Sequence, residues 1–187
     1  MTPTRSMMTD SERRRKVAFL VAFCYAWAAM FGFGGIAVET IVIYPNVFHD
    51  VPTSLVGAVD FFTVTGPADF FPPMGAATAL AGLATCLIAL PDRSARRWTF
   101  ASLGTLIVGE FLFSMLYFWP RNDIMFEEGP AVHSVDVLRQ TAIEFETGHW
   151  GRMLMSALTA TFALLAVFAT YRRHRLERVD QVRAESS

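Results

Sequence analysis

The sequence predicts an all-α membrane protein: a four-transmembrane-helix up-and-down bundle with long exoplasmic loops containing short helices. Three observations carry this prediction. Of the 187 residues, 53% are hydrophobic and only 18% are charged, against about 25% charged in soluble domains. The charges gather between four apolar runs, each long enough for the roughly 20 residues that a bilayer crossing needs. The arginines fall on alternate connections, as they do in polytopic membrane proteins. Composition excludes disorder, collagen and coiled coil, and because seventeen acids nearly cancel sixteen cations, net charge says nothing about nucleic acid until the positions of the charges are considered.

Residues 1–16 read as a basic cytoplasmic tail, 17–171 as the membrane domain and 172–187 as a second cytoplasmic tail. The first run, 17–44, exceeds the apolar core of a cleaved signal peptide, about 7 to 15 residues, and reads as a signal anchor. Its Gly32, Gly34 and Gly35 suit close helix packing. Tyr44-Pro45-Asn46 is a natural stop, because proline lacks a donor and biases the preceding residue away from helix. Pro52-Thr53-Ser54 then opens a short capped interfacial helix that ends before Gly66-Pro67. The second run spans 70–90, and the third, 98–119, closes at Trp119-Pro120-Arg121-Asn122. A helix start at Ser134-Val135-Asp136 continues through Phe145 into the last span, 149–171. Trp98, Trp119, Trp150, Tyr44 and Tyr171 fall at run ends, where amphipathic rings favour the headgroup layer. Cys24 and Cys86 lie inside apolar runs without a CxxC pair, so neither a disulfide framework nor a thiol relay is expected.

Thirteen of the sixteen cations lie in the two tails and the turn between runs two and three, leaving only Arg121, Arg139 and Arg152 on the other side. By the positive-inside rule both termini are cytoplasmic, in a plasma or inner membrane. These clusters read as topology determinants, with anionic headgroups or a partner as the alternative.

His49, His133 and His149 share the exoplasmic side with most of the acids, while His174 sits among the cytoplasmic arginines and reads as solvated. Imidazole and carboxylate suit iron or copper, although a wet loop has the same composition. At about 1.5 Å per residue, Glu39 and His149 both stand roughly 33 Å above the cytoplasmic ends of their helices. Glu146 and His149 form a Glu-x-x-His pair, a spacing shared with di-iron bundles. With only one copy, the count fits a single metal held by Glu39, Glu146 and His149, with His49 or His133 from a loop. Arg152 lies one turn below His149 and roughly 5 Å from the height of Glu39, so a simple Glu39–Arg152 ion pair is the competing assignment. Glu110, about 18 Å along its helix from Trp98, heads a polar stripe of Ser114, Tyr117 and Arg121. A carboxylate near mid-bilayer marks either the floor of a ligand cavity, a proton path or an interhelical hydrogen bond.

The order of the spans, the Tyr44-Pro45-Asn46 and Pro120-Arg121-Asn122 steps and the His149-Trp150-Gly151-Arg152 opening of the fourth helix together resemble the anthrone-oxygenase-like family of small four-helix membrane proteins. The resemblance covers most of residues 20–171. It implies oxygen chemistry on a hydrophobic phenolic, anthrone-like or quinone-like substrate, and it carries over His149, Arg152 and Asn122. Anthrones are carbon acids, so their oxidation needs a base, a cation for the oxyanion and an apolar pocket. The expectation is therefore a membrane oxidoreductase with His149, Arg152, Tyr117 and Glu110 as catalytic residues. Asn122, Arg121, Phe70, Phe71 and Trp150 would bind substrate, with Phe61 and Phe62 as further aromatic walls. A bound metal would be another way to activate oxygen. The rivals are a non-enzymatic lipid- or quinone-binding subunit and a small proton-coupled transporter using Glu39 and Glu110. The expected partners are the bilayer, the hydrophobic substrate and a second copy in a homo-oligomer, with no nucleic acid.

Overall fold

The computed structural model describes residues 10–89 and 92–185; Arg5, Leu90 and the side chains of His174, Arg178 and Arg183 lie outside what it describes. Among the described residues every regular element is helical. In chain order these are α1 (Asp10–Val38), a π-helical turn (Glu39–Ile43), α2 (Tyr44–Phe48), α3 (Thr53–Phe61), α4 (Pro67–Ala89) and α5 (Arg93–Thr105). Two further π segments (Leu106–Leu112 and Ser114–Phe118) lead into α6 (Trp119–Asn122), a fourth π segment (Asp123–Glu128), α7 (Gly129–Val132) and α8 (Val135–Glu185). They assemble into four helices long and apolar enough to cross a membrane: Glu12–Phe48, Pro67–Ala89, Arg93–Val132 and Val135–Arg173. The chain is an all-α membrane bundle.

The spans are longer than the apolar runs. The described parts of the two terminal basic segments are helical, since α1 starts at Asp10 and α8 continues to Glu185. Asp10 and Glu12 in the first turn of α1 suit the positive end of the helix dipole. The interfacial helix forms where expected, as α3, although Pro52 provides no side-chain cap. Instead Ser54 accepts the Asp50 N–H at 3.1 Å and donates to the Val47 carbonyl at 2.7 Å.

The two aromatic-proline steps do not stop their helices. Each proline follows a π segment, in which the carbonyls bond five residues ahead: the N–H of Tyr44 to Glu39, and that of Trp119 to Ser114. The wider turn relieves the clash between the proline ring and the carbonyl one turn earlier. The residue after each proline then closes a preceding carbonyl with its side chain. Asn46 Nδ2 donates to the Val42 oxygen at 2.7 Å, and Arg121 donates to the Tyr117 oxygen at 2.9 Å.

Spans two and four pack on opposite sides of spans one and three, making a ring in which each helix touches its sequence neighbours and the last touches the first. The lower half of the ring is small and polar inside. Ala22, Ala26 and Ala29 meet Ala160, Ala163 and Val167, letting backbones approach as they do in lipid. At its centre Tyr25 is 0% exposed, its ring where a Cβ on Gly82 would be. The Tyr25 hydroxyl lies 2.8 Å from Ser102 Oγ, which donates to the Thr159 carbonyl at 2.7 Å. One tyrosine thus ties all four spans. Of the first-helix glycines only Gly35 packs, against Phe71; Gly32 and Gly34 have open space beside them. The outer wall carries Trp27, Phe31, Leu80, Leu87, Leu116 and Leu154, all exposed, as a lipid-facing surface requires.

The upper half is an aromatic cap: Tyr44, Phe48, Phe118, Met125, Leu138 and Phe145 form one buried cluster over the bundle. Tyr44 is therefore a core residue, not a headgroup anchor.

Candidate functional site

His149 lies where the bundle meets the cap and is 0% exposed. Its ring is enclosed by Tyr44 at 4.4 Å, Phe118 at 4.9 Å and Phe145 at 5.2 Å between centroids. Thr40 Oγ1, in the first π turn, stands 3.0 Å from His149 Nδ1 while donating its own proton to the Ile36 carbonyl at 2.7 Å. A hydroxyl has one proton, so Thr40 accepts from Nδ1–H, an arrangement that in the neutral imidazole leaves the lone pair on Nε2. Nε2 faces the guanidinium of Arg152, with NH1 3.5 Å away.

Arg152 is the hub of the site. Its guanidinium carbon lies 5.3 Å from the Phe71 ring centre and 5.5 Å from that of Phe118. Two carboxylates from different helices feel its charge, Glu39 and Glu110. Neither is joined to it directly. Glu39 Oε1 accepts from the Tyr44 hydroxyl at 3.0 Å, and Glu110 faces Ser156 and Thr159. Glu39 Oε2, Glu110 Oε1, Ser114 Oγ and Arg152 Nε are buried with no hydrogen-bond partner among the described residues. Such atoms are scarce in folded proteins because each costs about 1–3 kcal/mol. Both orphaned carboxylates lie in π segments, which recur at functional sites. The π turn also lets Tyr44, five residues on, donate to Glu39.

The height count proves sound, because Glu39 and Thr40 are level with His149. The competing ion pair between Glu39 and Arg152 is absent as a direct contact, although the electrostatic coupling remains. The other expected site residues disperse. Glu146 and Trp150 line a small groove with Thr40, Pro45 and Ile143, whereas His149, three residues after Glu146 on the same helix, is fully buried. His49 is exposed and bonded through Nδ1 to the Asn46 carbonyl at 2.7 Å, and His133 pairs with Glu128.

Tyr117 and Arg121 belong to a clamp between spans three and four. The Tyr117 hydroxyl donates to the Glu144 carbonyl at 2.8 Å, and Arg121 donates to the Glu144 carboxylate at 2.7 and 3.1 Å while stacking 3.7 Å from the Tyr117 ring centre. Phe71 is at the site, and Phe70 stands beside it, edge-on to Phe31. Asn122 is half-buried and bonds to nothing at the site. Thr40, Tyr44, Phe118 and Phe145 are the site residues that the sequence reading missed. Thr40 had a usable signal, being a polar side chain beside Glu39 at the counted height of His149.

Among the described residues no three His, Cys, Asp or Glu side chains converge on a point where a metal could bind. The five expected ligands do not form one set, and the iron or copper expectation finds no donor cluster in this geometry. No protein-family profile, curated protein or solved structure matches the chain.

Proposed function

We propose that this chain is a membrane-embedded oxidoreductase, an oxygenase acting on a hydrophobic phenolic or anthrone-like molecule held at the meeting of bundle and cap. The observation that carries the reading is the Thr40–His149–Arg152 array: an imidazole donating from Nδ1 to Thr40, with Nε2 facing a part-buried guanidinium flanked by two aromatic rings. Nε2 of His149 takes the acidic C–H proton of the substrate. Arg152 receives the resulting oxyanion, which is stabilised far more in an apolar interior than in water. Dioxygen dissolves in the same apolar surroundings and reacts with the electron-rich carbanion. The substrate loses two hydrogens and keeps one oxygen atom, and the second oxygen leaves as water. Phe71 and Phe118 provide faces for a flat ring, and the family resemblance points to the same substrate class. With both termini cytoplasmic, as the arginine pattern supports, the site lies toward the exoplasmic side.

The complete enclosure of His149 favours one further reading, a subunit that binds a hydroxyaromatic or quinone without turning it over. Oxygen uptake by nanodisc-embedded protein supplied with an anthrone separates the two. The oxygenase consumes about one dioxygen per quinone formed and loses about 10²–10⁴-fold in rate as His149→Gln. Tight binding with no uptake above the buffer rate would leave the binding subunit.

A further inference from the structure

At the end of the bundle that carries the arginines, the four helices part around a cavity of about 840 Å³. Small apolar residues of spans one to three, among them Ala18, Ala22, Ala89 and Ala95, form its walls. Its mouth is cationic, with Arg13, Arg14, Arg15 and Arg173 against Asp10 and Asp92. Asp92 is already engaged, accepting from the backbone N–H groups of Ser94 and Ala95 at 2.9 and 3.2 Å and lying 3.7 Å from Arg173. Arg13 and Arg14 are exposed at the rim. Arginines near the helix ends are enough to set topology. They do not by themselves require an apolar slot between the helices, and this one falls within the 300–1,000 Å³ of ordinary ligand sites.

We propose that this cavity is a binding site for an anionic membrane lipid. Its phosphate sits on Arg13 and Arg14 and one acyl chain enters between Ala18, Ala22 and Ala89. Cations at headgroup level above an apolar slot match the two halves of such a molecule, and the site is independent of the chemistry at His149.

The test is native mass spectrometry of the full chain in detergent with equimolar phosphatidylglycerol and phosphatidylcholine of the same acyl chains. Retention of the anionic lipid should be favoured, and Arg13→Gln with Arg14→Gln should reduce it by about fivefold per arginine. Ala18→Leu, which narrows the slot and leaves every charge in place, should also lose it; Ala18→Val replaces it should the leucine variant not fold. Arg172→Gln with Arg175→Gln, outside the cavity, should retain it. The proposal is overturned if filling the slot leaves retention unchanged, or if the Arg172 and Arg175 pair matters as much as Arg13 and Arg14. It is equally overturned if glycerol phosphate at matched concentration displaces the lipid, which would make the site one for a free phosphate.

Discussion

Thr40 and His149, 109 positions apart in sequence, meet at 3.0 Å in a contact that fixes the imidazole tautomer. Because the threonine proton is committed to Ile36, His149 is the donor through Nδ1, and Nε2 is left as an acceptor beside Arg152. Whatever chemistry this interior supports depends on that assignment. Thr40→Val keeps the shape and removes the acceptor, so turnover should fall by about 10- to 100-fold. KM should be nearly unchanged, and Thr40→Ser should restore most of the rate. A fall in Thr40→Ser equal to that in Thr40→Val would show that packing, not tautomer, is at stake.

Arg152 compensates two carboxylates that stand on different helices. Arg152→Met should destabilise the bundle by on the order of 3 kcal/mol, because buried acids are left without a counter-charge. Adding Glu39→Gln and Glu110→Gln should recover most of the loss. A double-mutant cycle on thermal unfolding reads this as coupling, and strict additivity would refute it.

Tyr117 is assigned to the helix clamp rather than to catalysis. Tyr117→Phe removes its bond to the Glu144 carbonyl and should cost about 1 kcal/mol of stability, with kcat preserved. A loss of turnover without a loss of stability would return Tyr117 to the catalytic set.

Glycines of similar appearance should behave in opposite ways. A Cβ on Gly148 would run into the Tyr117 ring, so Gly148→Ala should destabilise by about 2 kcal/mol and loosen the Arg121–Glu144 pair. Gly32 and Gly34 have nothing within 4 Å of a new Cβ. Alanine there should be neutral or stabilising by up to about 1 kcal/mol through helix propensity, as thermal unfolding of the two variants will show.

The sequence made the four spans legible because hydropathy and arginine placement report on lipid, which acts on whole helices. The heights of Glu39 and His149 were legible too, since rise per residue is nearly constant. What escaped was burial and local register. The i, i+3 spacing of Glu146 and His149 holds on the continuous α8, but Glu146 borders the small groove while His149 is enclosed among the cap aromatics, a difference of burial that spacing does not report. Proline at 45 and 120 read as stops because the π segments before them leave no mark in an apolar run. Those segments carry Glu39 and Glu110 and bring Tyr44 onto Glu39, a five-residue relation outside the i, i+3 and i, i+4 pairs of an α-helix. Tyr117 and Arg121 were grouped on one stripe, but their partner, Glu144, was read only as one of the exoplasmic acids, on the helix that leads into the last span.

The central claim is that His149 removes a carbon-bound proton before oxygen is involved. The direct measurement is anaerobic exchange of the acidic C–H of an anthrone into D₂O, catalysed by the nanodisc-embedded protein and followed by mass spectrometry. The account predicts exchange well above buffer in the wild type, slowed in Thr40→Val and reduced to background in His149→Gln. Exchange that persists undiminished in His149→Gln, or oxygen uptake by the wild type without any exchange, would contradict it.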